Sequence, residues 1–387
     1  MKRLRSLLQK KITAGTLREL TWLERLGQGR VKIVGQAAGQ ECDDFSSNDY
    51  LALTEHPMVI AESRRFLELL GAGAGAARLM SGNLELHRRL EEEIACLKGK
   101  EAGLIFGSGY LANIGVIPAL VGRNDAIFTD RLNHASIYDG CRLAGASVIR
   151  FRHNDPDHLE ALLAQKRGRF HQALIVVESI YSMDGDRCPL PAIAFLKNRY
   201  DCLLMVDEAH ATGIFGANGG GIIEEDGVGS QVDIAMGTFG KALGSYGAYV
   251  AASRELVHYL INQARSFIYA TALPPAVLGA SLAALELIRT EPGLRRELHE
   301  KVTLFKNCLQ AGGFVGDLGP SQIVPVRIGD SRLALEIACL LRAQGIFATA
   351  VRPPTVPKGT ARLRFSITRH HQRAVLEKTA RLLLALL

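Results

Sequence analysis

Several absences narrow the reading of this 387-residue chain before any motif does. No apolar run approaches the length of a bilayer-crossing helix, and the C-terminal LLLALL is far too short. The basic N-terminus, MKRLRSLLQKK, lacks the long apolar stretch and small-residue cleavage site of a secretory signal. Glu19 and Glu24 follow too closely for an acid-poor transit peptide. The seven cysteines are odd in number and show no CxxC spacing, which argues against a disulfide framework or zinc site and for a reducing cytoplasm. Aromatic residues make up only 6%, and none cluster with the dispersed lysines and arginines, so the net charge of +7 does not point to nucleic acid. An acidic carrier protein or a phosphorylated cofactor remains compatible with that charge. Neither GxGxxG nor GxxxxGK[ST] occurs, which tells against a nucleotide-binding α/β protein.

What is present is the composition of a globular protein large enough for two domains: 48% hydrophobic, 22% charged, with no low-complexity tract or internal repeat. The 39 glycines against 13 prolines suit an α/β protein with many tight strand-to-helix turns. Leucines at helical spacing over 1–26 predict short amphipathic helices. Helical segments are expected at 87–98, 110–120 and 276–290. Short apolar runs at 102–106, 126–129, 147–151, 174–178, 203–206, 234–238 and 248–251 read as buried strands. That alternation predicts a mostly parallel sheet covered on both faces. Strands at 323–328, 346–351 and 361–367, with helices at 332–343 and 372–386, predict a smaller α+β domain. The expected division is an N-terminal helical arm over 1–45, a large domain over 46–285 and a small one over 286–387.

Polar residues stand at the carboxyl ends of several of these strands, where α/β sheets open their binding crevice. One strand ends in Asp207-Glu208-Ala209-His210 and another in Thr238-Phe239-Gly240-Lys241. A third runs into 178–186, and a fourth into Gly107-Ser108-Gly109-Tyr110 ahead of a helix. Singly, each has an ordinary explanation: a strand-end Asp is common, a loop lysine is usually solvated, a GxG is often only a turn. Together they match the needs of pyridoxal phosphate, which are an amine for a Schiff base, a carboxylate for the pyridinium and a helix N-terminus for phosphate. Lys241 supplies the amine, with Gly240 and Gly244 giving its loop backbone freedom. Asp207 supplies the carboxylate. Gly109 and Tyr110 offer backbone N–H groups. His210 is placed to donate to the ring oxygen. His134 either stacks on the ring or is a surface loop histidine.

The motifs NDYLAL (48–53), LHRRLEEEIA (86–95), NHASIYDG (133–140), SMDGD (182–186), VDEAHATG (206–213), GTFGKALG (237–244), YATALPP (269–275) and RPPTVPKGTARLR (352–364) together resemble the α-oxoamine synthases. The resemblance runs from about residue 15 to the C-terminus. It implies a fold-type-I pyridoxal-phosphate enzyme, aspartate-aminotransferase-like, acting as a homodimer that condenses an amino acid with an acyl thioester and loses CO2. The last motif is most similar to the biotin-biosynthesis branch, which joins L-alanine to a pimeloyl thioester carried by coenzyme A or acyl carrier protein. A glycine-using C-acetyltransferase is the alternative within the family. A catalytically dead partner subunit is disfavoured because Lys241 is present.

Carried over position by position, the resemblance implies that Lys241 bonds the cofactor and removes the substrate proton, that Asp207 pairs with the pyridinium, and that His134 stacks on the ring. Ser182, His210 and Thr238 would hydrogen-bond the cofactor. The Gly109-Tyr110 backbone and Thr271, the latter from the neighbouring subunit, would contact its phosphate. Arg364 would hold the amino-acid carboxylate, and Asn48, His134 and Thr355 would contact substrate. Arg18 would face the distal carboxylate of a dicarboxylic acyl chain. No metal is implied. Two departures stand out. Residues 71–77, GAGAGAA, replace a Gly/Ser-rich stretch and so forgo its side-chain hydroxyl contacts, while Arg78 and Ser81-Gly82-Asn83 fit. Ala211 occupies a position where glycine is usual.

Overall fold

The computed structural model describes residues 2–35 and 39–387, the side chain of Lys2 excepted. Contacts divide the chain into two compact units, one of 53–182 with 187–295, the other of 1–52 with 183–186 and 296–387. Among the described residues, no helix is long and apolar enough to cross a membrane.

The larger unit is built on seven strands in the spatial order Ala102–Phe106, Ala248–Ala252, Ile234–Thr238, Leu203–Asp207, Ala173–Glu178, Ala126–Asp130, Ser147–Phe151. Every neighbouring pair is parallel except those made by Ala248–Ala252, which runs antiparallel to both its neighbours. The expected strands are therefore present to within a residue or so at each end. They are legible because a strand buried on both faces is a continuous apolar run. Leu104, Phe106, Leu174, Val176, Met205, Met236 and Val250 share one core with residues of helices Gly109–Leu120 and Arg254–Gln263. The alternate residues Ile105, Ile175, Leu204, Val206 and Tyr249 are buried as well, so the opposite face is also covered.

In the smaller unit, helix Lys2–Thr13 precedes strands Leu23–Gly27, Arg30–Ile33 and Glu41–Asp44, which form an antiparallel sheet. The expected helix across 17–23 is not formed. Gly27, Gln28 and Gly29 all have positive φ (83°, 51° and 70°) and make the tight reversal that pairs Gly27 with Arg30. Glu41–Asp44 also pairs in parallel with Ile346–Phe347. Beside it, Phe45 stacks on His371 at 4.0 Å and meets the rings of Phe305 and Phe365. Burial pushes the His371 imidazole down to about 3. These contacts explain why 1–45 groups with the C-terminal segment rather than standing apart as an arm. The expected single strand over 346–351 is two short ones, Ile346–Phe347 and Thr349–Val351, in different sheets.

Candidate active site

In the larger unit, strands Ala173–Glu178 and Leu203–Asp207 pair so that Glu178 lies opposite Asp207, and Asp207 lies opposite Met236 of the next strand. Asp207 is buried, and both its carboxylate oxygens are held: Oδ1 accepts the Ala209 N–H at 2.9 Å, and Oδ2 accepts from Asn113 Nδ2 at 3.0 Å. The same Asn113 nitrogen reaches Ser136 Oγ at 2.9 Å, and Ser136 Oγ lies 2.8 Å from His134 Nδ1. Asp207 and His134 are thus joined through two polar side chains, one from helix Gly109–Leu120 and one from helix Ala135–Ala144.

His134 also caps the latter helix, its Nδ1 accepting the Ser136 N–H at 3.3 Å. The residue stays accessible to solvent, yet loss of hydration lowers its pKa. The negative charge of Asp207 opposes that lowering, and the Lys241 ammonium adds to it. Its backbone N–H donates to the buried Glu178 carboxylate. Burial, and then the charge of Asp207 alongside, raise Glu178 well above the usual carboxylate range, while backbone N–H groups of His134 and Ser182 pull the other way.

Lys241 Nζ lies 2.8 Å from His210 Nε2, which joins the loop after Ile234–Thr238 to the turn after Leu203–Asp207. That loop is pinned by Thr238, whose hydroxyl donates to Gly247 O at 2.7 Å and accepts the Gly240 N–H at 3.1 Å. Gly244 is required: its φ is +60°, and a Cβ there would come within 2.5 Å of Thr54 N. Gly240 is not, because its φ is not positive and the nearest atom to an added Cβ is 3.5 Å away.

Helix Gly109–Leu120 starts at the end of strand Ala102–Phe106. Ser108 Oγ accepts the Leu111 N–H at 3.2 Å, and helix geometry leaves the N–H groups of Gly109 and Tyr110 without intrahelical acceptors. The Tyr110 hydroxyl donates to Asp139 at 2.7 Å. One amine beside an imidazole, one fixed carboxylate linked to a second imidazole through Asn113 and Ser136, and an open helix N-terminus form the donor set that pyridoxal phosphate needs, so the residues fit that group. Thr271 is exposed in the same unit, bridged in antiparallel sense to Ala77, the last residue of 71–77.

The smaller unit gathers a second set. Arg364, buried in strand Ala361–Ser366, donates through Nη2 to Asn48 Oδ1 and Tyr50 Oη, each at 3.2 Å, and through Nη1 to Ser366 at 2.7 Å. Arg18 Nη2 donates to Thr355 Oγ1 at 2.7 Å, and Arg352 holds the carbonyls of Gly15 and Leu17 beside it. Four of the five expected substrate residues therefore form two pairs, Asn48 with Arg364 and Arg18 with Thr355, while His134 belongs to the larger unit. Asn113, Ser136 and Glu178 were not foreseen from the sequence. A lone Asn in the apolar helix GYLANIGVIPAL and a Glu ending an apolar strand were the only signals available.

The sequence matches the pattern of the family "Aminotransferase class I and II" over residues 41–383. It is 50% identical over 344 residues to the 8-amino-7-oxononanoate synthase of Geobacter sulfurreducens, covering 88% of each chain. Against that of Geotalea daltonii it is 47% identical over 367 residues, covering 94% of this chain and 92% of the other. Among solved structures, the serine palmitoyltransferase of Sphingomonas wittichii is similar with a TM-score of 0.92 at 28% identity, over 99% of this chain and 96% of that one. The 8-amino-7-oxononanoate synthase of Francisella tularensis gives 0.75 at 27% identity, over 88% and 96%.

Proposed function

The chain belongs to the aminotransferase class I and II family, and from that premise we propose that it is a pyridoxal-phosphate-dependent acyltransferase of biotin biosynthesis. It joins L-alanine to a pimeloyl thioester, giving 8-amino-7-oxononanoate, CO2 and the free thiol carrier. The observation that carries this reading is the 47–50% identity, over most of both chains, to relatives named 8-amino-7-oxononanoate synthase. Fold similarity does not choose the acyl donor, since a serine palmitoyltransferase is matched with a high TM-score too.

The cofactor supplies an electron sink that lets the alanine Cα–H bond break heterolytically. Lys241 would hold it covalently and would take the Cα proton. Asp207 would keep its ring nitrogen protonated through an ionic contact. His134 would stack on its ring, and His210, Ser182 and Thr238 would hydrogen-bond it. Gly109 and Tyr110 would offer N–H groups to its phosphate. In the condensation, the alanine Cα–acyl carbon bond forms as the C–S bond breaks. The bond to the alanine carboxylate then breaks, and a proton returns to that carbon. Arg364 grips the amino-acid carboxylate, with Asn48 beside it. Mass measurement of the product from alanine and each pimeloyl thioester tests the reaction. A product from glycine in preference to alanine would support the C-acetyltransferase alternative instead.

Arg18 and Thr355 face the far end of the acyl chain in this reading. Methylene contacts discriminate weakly, so preference for a dicarboxylic chain requires a cation, and a guanidinium can grip a carboxylate with two hydrogen bonds. Arg18→Ala is expected to raise KM for the free-acid pimeloyl thioester about tenfold, and to leave KM for alanine and for a methyl-ester donor nearly unchanged. Equal losses with both donors would remove Arg18 from carboxylate recognition.

The active form is a homodimer in which Thr271 reaches the phosphate bound by the partner. Mixing inactive Lys241→Ala and Thr271→Ala chains is then expected to restore part of the activity. No recovery in proven heterodimers would mean that each chain carries a self-contained site.

A further inference from the structure

Residue alternation along strand Leu203–Asp207 sends Asp207 and Glu208 to opposite sides. Glu208 is fully buried, and so is Lys98, at the end of helix Glu85–Lys98. Lys98 Nζ donates to Glu208 Oε2 at 2.7 Å, to Thr212 Oγ1 at 2.9 Å and to Gly220 O at 2.6 Å, which uses all three of its protons. Glu208 Oε1 accepts the Ile223 N–H at 3.0 Å. Thr212 Oγ1 lies 2.6 Å from Tyr249 Oη. The protein is packed closely around this pair: Gly221 has φ +100°, and a Cβ there would lie 2.5 Å from Glu208 Oε1. Burial alone would lower the Lys98 ammonium, but the facing carboxylate outweighs it and the net direction is up.

A buried ion pair contributes little net stability, because desolvation cancels most of its attraction. What this one does is hold a turn. The Glu208 N–H donates to Met236 O at 2.7 Å, and its carbonyl accepts from Ala211 and Thr212 at 2.9 and 3.0 Å. The turn so fixed carries Asp207 at one end and His210, the contact of Lys241, within it. We propose that Lys98 and Glu208, braced by Thr212 and Tyr249, are positioning residues that set the Asp207 carboxylate and the His210 imidazole for the cofactor. The inference rests on the cofactor reading above and adds to it residues on the far side of the sheet.

The test compares Lys98→Met, Glu208→Gln, the double variant and Tyr249→Phe with the parent, using purified protein and pyridoxal phosphate. The readouts are cofactor Kd, the pH dependence of the bound cofactor's visible band, kcat, the KM for alanine and Tm. Each single charge variant leaves one buried charge unpaired, so both Tm and cofactor affinity should fall. The double variant should recover most of the Tm. Its cofactor Kd should stay raised and its kcat lowered, each at least tenfold, with the alanine KM within twofold. Tyr249→Phe, which removes one hydroxyl, should fold normally and still weaken cofactor binding several-fold. Recovery of Kd and kcat along with Tm in the double variant would overturn the proposal, as would unchanged cofactor binding in Tyr249→Phe. A parent protein that binds no pyridoxal phosphate would instead overturn the cofactor reading.

Discussion

Lys241→Ala is expected to reduce turnover by at least about a thousandfold, because in the proposed function one amine serves both as the covalent attachment and as the base. The structure gives this lysine a defined neighbour. Its Nζ is 2.8 Å from His210 Nε2, at the head of a loop closed by Thr238 and turned by Gly244. The Nδ1 of the nearby His134 is engaged by Ser136 Oγ at 2.8 Å. Borohydride reduction of the cofactor-loaded parent should leave the pyridoxyl label on the peptide containing Lys241 and nowhere else. The variant should bind cofactor reversibly, show no label after reduction, and keep its Tm without cofactor within a few degrees. Label on another lysine, or turnover within tenfold of the parent, would refute the assignment.

That loop was legible in the sequence only in combination, because its lysine and the carboxylate of Asp207 both follow apolar strands. The large sheet was legible for a related reason: seven short apolar runs bounded by turn residues admit few other readings. The hairpin Leu23–Gly27 with Arg30–Ile33 was not, because the exposed leucines of LERLG sit at helical spacing and the tight turn alone decides the matter. Nor could local pattern show that Glu41–Asp44 pairs with Ile346–Phe347, some 300 residues later in the chain.

The candidate site divides in the same way. Lys241, Asp207 and His210 announce themselves as strand-end residues in one register. Asn113, Ser136 and Glu178 do not, because each acquires its partner only when separate elements pack: Asn113 sits one turn into an apolar helix, Ser136 follows the helix cap, and Glu178 ends a strand beside Asp207. Lys98 is a stronger case. In sequence it is the last basic residue of a charged helix, where a solvated side chain would favour the helix dipole. In the fold its ammonium is buried against Glu208.

Asp207→Asn should keep the cofactor and lose at least about a hundredfold in kcat, near 3 kcal/mol at the transition state, the usual scale for removing one preorganised electrostatic contact. Two effects are combined in that loss, and the structure separates them. An amide cannot hold the ring nitrogen protonated, which weakens the electron sink. It also mismatches its surroundings: Oδ1 accepts from the Ala209 N–H and Oδ2 from Asn113 Nδ2, so the new NH2 must face one of two donors. A mismatch at Asn113 would pass to Ser136 and His134 through their shared hydrogen bonds. Adding Asn113→Asp restores an acceptor opposite the amide without returning a carboxylate to position 207. If charge on the ring nitrogen dominates, the double variant regains Tm but remains at least about a hundredfold slow. The visible band of its bound cofactor should then shift with pH in a range where the parent's does not. Turnover recovering with Tm would assign the loss to the hydrogen-bond chain, and near-parental turnover in Asp207→Asn itself would remove the electron-sink role from this residue.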